Sequence, residues 1–214
     1  FWEEQAPHKK TIQNGNGKIV SYYIDGVVKE SYSFKNGLKT GPFEERTANG
    51  VLSVAGAFNN GKKDGVWEFY RYDGILEKQV GYANDSLHGL YLVMSSEKDT
   101  LTFGYFNKGL KTGHWRWYNE GSVLDMTGYF NDGKQDSIWH YYFPNSQLSY
   151  IAHYDKDLRA GDWTYYYPNG ALYRTGSYSQ DKRTGLWQTW YEDSTLLMSG
   201  NYVNGLEEGE WKNY

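Results

Sequence analysis

Cysteine is absent from the chain, which excludes disulfides, thiolate metal sites and cysteine nucleophiles. An excess of one charge is absent too. The net charge of -4 offers no electrostatic footprint for nucleic acid. No apolar run reaches the length of a bilayer-spanning helix, and no signal-peptide pattern is present. Because the first residue is Phe1 and the last falls six residues into a further repeat, sequence is expected to have preceded or to follow the given chain. Signatures of catalysis are missing as well. The five histidines, His8, His88, His114, His140 and His153, fall at unrelated places with no HExxH spacing, and no serine sits in a G-x-S-x-G elbow. The NGNG run at 14–17 is a turn signal and not a phosphate loop, since no helix follows. No catalytic residue, metal, cofactor or small-molecule substrate is therefore expected.

What is present is aromatic. Aromatics make up 19% of residues against 39% for all hydrophobics, with a mean hydropathy of -0.80. Such a chain buries tyrosine and tryptophan in place of leucine and valine, which suits a thin sheet with wet rims. The aromatics recur in a unit of 24 residues that opens at Gly17, Gly41, Gly65, Gly89, Gly113, Ser137, Gly161 and Gly185, with a partial ninth copy from Gly209. Counting the opening residue as position 0, position 2 is always apolar and usually Trp, and position 17 is always Phe or Tyr. Unbroken register over this length marks a repeat array, to be read from one unit and its neighbours.

Within a unit, alternation such as Leu172, Arg174, Gly176, Tyr178 against Tyr173, Thr175, Ser177 has strand period, and the aromatic run Asp162–Tyr167 favours a strand. Between them Pro168, Asn169 and Gly170, or Tyr72, Asp73 and Gly74, spell a three-residue hairpin loop. A second turn follows position 17, as at Asn59, Asn60, Gly61; where its glycine is missing, Asp85, Asp157 and Asp181 stand in, and Asp tolerates left-handed backbone. The recurrent glycine at position 15 leaves room for the tryptophan at position 2 of the paired strand. The expected fold is all-β: an elongated antiparallel β-meander of stacked hairpins in a single twisted layer. It comprises about seventeen strands, on the order of 80 Å long. Residues 1–16 form an arm or a divergent leading strand, and 17–214 the array. Copy four, with Tyr91, Met94 and Lys98 at marker positions, is the first place to look for a bend.

The run Gly161, Trp163, Tyr166, Gly170, Leu172, Gly176, Tyr178, closed by Gly205, resembles a MORN repeat, and more closely its bacterial, antitoxin-like variant. The resemblance covers 17–214; it implies hairpin sheets used for protein association, in some members also membrane or phosphoinositide contact, and no catalytic residue. Ser137, Ser146, Ala152 and Asp157 depart from the pattern and put local turn geometry in question. The stretch GDWTYYYPNGALYRTG is also similar to choline- and glucan-binding repeats, whose units are shorter than this one.

Two surfaces stand out. Trp117, Tyr141, Phe143, Tyr165, Tyr167 and Tyr191 are aromatics that the repeat does not require, and they form a candidate partner-binding patch. Tight turns carry Lys39, Lys63, Lys111, Arg159 and Arg183 at position 22, a basic rim that could meet anionic headgroups or an acidic partner, against the plainer reading of solvated turns. The other rim holds Asp25, Asp73, Glu97, Glu120, Glu192 and Asp193. The expected function is a non-catalytic scaffold for another protein within a larger complex of a bacterial envelope, extracytoplasmic in the periplasm or at the surface. The alternatives are a carbohydrate- or choline-binding module, an antitoxin-like partner of a toxin, and a cytoplasmic location.

Overall fold

The structure is a computed structural model and describes residues 8–119 and 121–214. Residues 1–7 of the expected arm and Glu120 of the acidic rim lie outside the described residues. The chain divides into two compact units between Leu110 and Lys111, near the end of copy four.

The first unit contains β1 (His8–Gln13), β2 (Asn16–Tyr22), β3 (Val28–Lys35), β4 (Leu38–Arg46), β5 (Leu52–Asn59), β6 (Lys62–Tyr70), β7 (Leu76–Ala83), β8 (Ser86–Met94) and β9 (Thr100–Asn107). The second contains β10 (Leu110–Tyr118), β11 (Leu124–Asn131), β12 (Lys134–Tyr142), β13 (Leu148–Asp155), β14 (Leu158–Arg159), β15 (Gly161–Tyr166), β16 (Leu172–Ser179), β17 (Lys182–Trp190), β18 (Leu196–Val203) and β19 (Leu206–Asn213). Within each unit neighbouring strands pair antiparallel, as in β6 with β7 or β17 with β18, so each is an open meander of hairpins. Among the described residues there is no helix. Among the described residues there are nineteen strands where about seventeen were expected, because residues 8–13 form a leading strand and one strand is interrupted at Ala160.

Both turn families take the form the sequence dictates. In the three-residue loop, Gly26 N–H donates to Tyr23 O at 2.9 Å and Tyr23 N–H to Val27 O at 2.8 Å, while the Asp25 carboxylate accepts Val27 N–H at 3.1 Å. In the two-residue turns both central residues have positive φ, as at Asn60 (49°) and Gly61 (83°), the geometry that matches strand twist. Asp85, Asp157 and Asp181 adopt 70°, 74° and 66° there, as expected for glycine substitutes. Ser137 (60°) and Ser146 (66°) keep the backbone of the glycines they replace, while Ala152 is buried in β13, whose partner strand is interrupted at Ala160.

Most copies of the sequence unit also carry a bulge at the opening residue. Ser177 pairs with Thr184 and Thr175 with Gln188, which leaves Gly185, Leu186 and Trp187 opposite Gly176 alone. The bulge swings the Trp187 indole over Gly176, where an added methyl would land inside the ring. Gly56 with Trp67, Gly128 with Trp139, and Gly200 with Trp211 repeat the arrangement. Room for tryptophan is thus what the position-15 glycine provides. Where the following position 2 is Phe43 or Tyr91, the matching residue is the larger Tyr32 or Val80.

The core of each unit is its position-2 tryptophans, Trp67 in the first and Trp115, Trp139, Trp163 and Trp187 in the second, each at most 5% exposed. Position-17 rings meet them edge to face, for example Phe58 on Trp67 at 5.1 Å and Tyr178 on Trp187 at 5.2 Å between centroids.

Candidate functional site

Strand alternation puts position 4 on the same side as the position-2 tryptophans. In the second unit this side is ringed almost continuously. Trp115 stacks on Trp117 at 5.7 Å, Trp117 on Trp139 at 5.7 Å, and Trp139 on Tyr141 at 6.2 Å. Tyr141 then lies on Tyr150 at 4.0 Å with planes 10° apart, and Tyr150 on Tyr165 at 5.6 Å. Tyr150 comes from the partner strand, at a position not usually aromatic, and single-unit reading does not single it out. Trp115 and Trp139 are buried, and Trp117, Tyr141, Tyr150 and Tyr165 are half-buried. Because they stack, their faces lie against one another. The phenols of Tyr141 and Tyr154 interact with one another, as do those of Tyr165 and Tyr178. Burial pushes the phenols of Tyr141, Tyr150, Tyr154 and Tyr165 above the usual tyrosine value, so the row stays neutral well into alkali.

The other three nominated aromatics, at position 6, open the three-residue loops. Phe143 N–H closes its loop on Gln147 O at 2.8 Å. The Tyr167 hydroxyl donates to Trp190 O at 2.9 Å, which ties two successive hairpins together. Tyr191 is 47% exposed and is the one member of the six on the open surface. The six are therefore not one patch: Trp117, Tyr141 and Tyr165 join the stacked row through Trp139 and Tyr150, while Phe143, Tyr167 and Tyr191 belong to the loops.

The basic residues of the tight turns fold back over the rings. Lys39 Nζ is 4.4 Å from the Tyr32 centroid and 5.1 Å from that of Phe58. Lys63 stands 4.4 Å over Trp67 and 5.2 Å over Tyr82, and Lys111 4.6 Å over Trp115 and 4.9 Å over Phe130. Arg159 covers Tyr178 at 4.4 Å and Arg183 covers Trp187 at 4.9 Å. Each cation is half-buried, and burial lowers the Lys111 ammonium below the usual lysine value. Arg159 is also paired with Asp181 at 3.1 Å, and Arg183 Nη1 donates to the Tyr202 hydroxyl at 3.0 Å. These side chains cap the tryptophan row through cation–π contacts.

Successive tight turns are stitched together. Gly61 N–H donates to Lys39 O, Gly133 N–H to Lys111 O, and Asp181 N–H to Arg159 O, at 2.7 to 3.0 Å. Where aspartate holds the turn its carboxylate adds a second stitch: Asp85 accepts Lys63 N–H, Asp157 accepts Gln135 N–H and Asp181 accepts Arg159 N–H, at 2.7 to 2.9 Å. On the acidic rim Asp25, Asp73 and Asp193 each accept a backbone N–H of their own loop. On the opposite side of the second unit, His114, Tyr129, Ile138, His140 and Tyr142 line a groove of about 590 Å³. Among the described residues no three metal-ligating side chains converge.

The tight hairpins, the position-2 tryptophans and their glycine seats define an antiparallel hairpin-repeat protein. The family profile of the MORN repeat variant matches residues 159–180 and 183–204, two consecutive copies, so this stretch of the second unit carries the MORN repeat variant. Repeats of this kind are non-catalytic modules for interaction with proteins or membranes. No curated protein matches the chain. Among solved structures it is similar to "Crystal Structure of TcdB2-TccC3-Cdc42" at 11% identity and a TM-score of 0.25, over 90% of this chain and 13% of that one. It is also similar to "Crystal Structure of TcdB2-TccC3" at 12% identity and a TM-score of 0.26, over 94% of this chain and 14% of that one. The chain thus spans about a seventh of the length of either.

Proposed function

We propose that the chain is a non-catalytic scaffold that holds another protein along the stacked aromatic side of its second unit, as one subunit of a bacterial envelope assembly. The observation that carries this reading is the row Tyr141, Tyr150 and Tyr165: stacked rings beyond what the repeat needs, half-buried and so still partly open to a partner. Tyrosine rings of this kind combine apolar contact with hydrogen bonding, the mixture common at protein interfaces. A sugar or a quaternary ammonium needs an open ring face, and here the faces are covered by the next ring, which favours a protein partner over a glycan or choline.

Changing Tyr141, Tyr150 and Tyr165 together to Phe removes three hydroxyls and leaves the stack in place. Affinity capture from the native lysate and membrane fraction, compared between this variant and wild type of equal thermal stability, is expected to lose specific co-purifying proteins. An unchanged set would overturn the proposal. The extracytoplasmic setting rests on the aromatic, surface-protein style of composition alone, and cell fractionation decides between envelope and cytoplasm.

A further inference from the structure

The shortest step in the stacked row of the second unit joins two tyrosines that the strand register sets directly opposite one another. Tyr141 of β12 pairs with Tyr150 of β13, and their rings lie 4.0 Å apart between centroids with planes 10° from parallel. Neighbouring tyrosine pairs are placed differently. Tyr150 and Tyr165 are 5.6 Å apart with planes at 26°, and Tyr167 meets Tyr173 edge to face at 5.0 Å with planes at 62°. Both Tyr141 and Tyr150 are half-buried, so solvent reaches part of each ring. The tryptophans lead to the same pair. Trp115, Trp117 and Trp139 stack in steps of 5.7 Å, Trp139 lies 6.2 Å from Tyr141, and Trp163 lies 6.2 Å from Tyr150 on the other side. An electron removed from one of these indoles is replaced from the next ring, because exchange between π systems in contact is fast. The deficit settles on a tyrosine, whose radical is stabilised once the phenol proton has passed to water.

We propose that Tyr141 and Tyr150 form a dityrosine cross-link, a modification in which a one-electron oxidant joins the two rings and staples β12 to β13. The oxidant is of the class of a haem peroxidase supplied with hydrogen peroxide. Each phenol gives up one electron and its hydroxyl proton to become a phenoxyl radical, whose unpaired spin is shared with the carbons ortho to the oxygen. Two such carbons join, each loses its hydrogen as a proton, and each oxygen takes a proton back. The net change is one C–C bond formed and two ring C–H bonds broken, with hydrogen peroxide reduced to two molecules of water. Coupling competes with quenching of each radical by reductants in solution, so rings already held in contact are favoured by their high effective concentration. Directly opposed residues of antiparallel strands keep their Cβ atoms about 4.5–5.5 Å apart, a span that two ortho-linked rings bridge. Both hydroxyls survive the coupling, and the link leaves them available to a protein on this side of the second unit. It forms within one chain and needs no partner, so it stands independently of the scaffold reading.

The test treats the isolated chain with a haem peroxidase and hydrogen peroxide. It follows the blue fluorescence of dityrosine, the intact mass and, by tandem mass spectrometry of the proteolysed chain, the residues joined. Wild type is expected to gain the fluorescence and to lose the mass of two hydrogens while running as a monomer on a denaturing gel. Tyr141→Phe and Tyr150→Phe, each with unchanged far-UV circular dichroism, are expected to lose the signal, and Tyr165→Phe to keep it. Wild type unfolded in urea, where no pair is assembled beforehand, is expected to lose the preference for these two residues. Fluorescence undiminished in folded Tyr150→Phe, a link mapped to other tyrosines, or coupling only between chains overturns the proposal. So does the absence of dityrosine in wild type under conditions that couple free tyrosine.

Discussion

Tyr141 and Tyr150 lie face to face across β12 and β13, with ring centroids 4.0 Å apart and planes within 10° of parallel. They are also directly paired in the strand register. Aromatic pairs of this kind are worth about 0.5–1.5 kcal/mol beyond the area they bury. A double-mutant cycle of Tyr141→Ala and Tyr150→Ala, read by urea denaturation, is expected to show coupling of about that size. Simple additivity would refute the pairing.

Gly176 and Trp187 make a steeper case. A methyl on Gly176 falls inside the indole, so Gly176→Ala is expected to cost about 1–3 kcal/mol through overpacking. Adding Trp187→Phe shrinks the ring and should recover part of that loss, making the double variant more stable than the sum of the singles. Thermal unfolding of the four proteins checks this. A fully additive pair would mean that the indole is not seated on the glycine.

Neighbouring lysines offer a controlled comparison. Lys63 stands over Trp67 and Tyr82, whereas Lys62, one residue earlier, is exposed and belongs to the two-residue turn side of β6. Lys63→Met is expected to lose about 0.5–1 kcal/mol of cation–π contact, and Lys62→Met to stay within about 0.5 kcal/mol of wild type. Equal effects of the two changes, measured by chemical denaturation, would place the Lys63 ammonium in solvent.

Two groups give the stability a pH signature of opposite sense. The backbone N–H of Arg159, aided by its side chain, holds the Asp181 carboxyl below its ordinary value of 3.8. A depressed folded value means that its contribution is present above pH 3.8 and is lost as pH falls through the lower folded value. The thermal advantage of wild type over Asp181→Asn should therefore shrink on acidification. The Tyr70 hydroxyl donates to Glu68 at 2.7 Å, and that bond is the main reason its phenol is pushed up to about 12. Its contribution is present below pH 10 and is lost as pH rises through about 12. Ultraviolet titration should show a late-ionising tyrosine that moves down in Glu68→Gln.

Local chemistry made much of this legible. Asn60–Gly61 and Asp181 announce their turns because few residues accept positive φ, and Gly176 announces its tryptophan because glycine leaves room for the indole. Harder to read was anything requiring knowledge of which strand lies beside which. Tyr150 sits at a position that is Val54, Lys78 or Met126 in other copies, so only register across β12, β13 and β15 reveals it as the link between Tyr141 and Tyr165. The cations were obscured for a similar reason. Lys63 and Lys111 read from the sequence as turn residues, but they lie in β6 and β10, where their ammonium groups reach inward over rings.

The stitch from each tight turn to the one before it explains why no insertion or deletion interrupts the chain. Asp181 N–H finds Arg159 O because the two turns are in phase along the rim. One surplus residue anywhere between them would pull the rim out of step and rotate every downstream indole away from its glycine seat. Length in such a molecule is quantised: it can grow or shrink by whole copies while keeping its seams closed, and a splice is tolerated best where a glycine at the old junction meets a tryptophan at the new one.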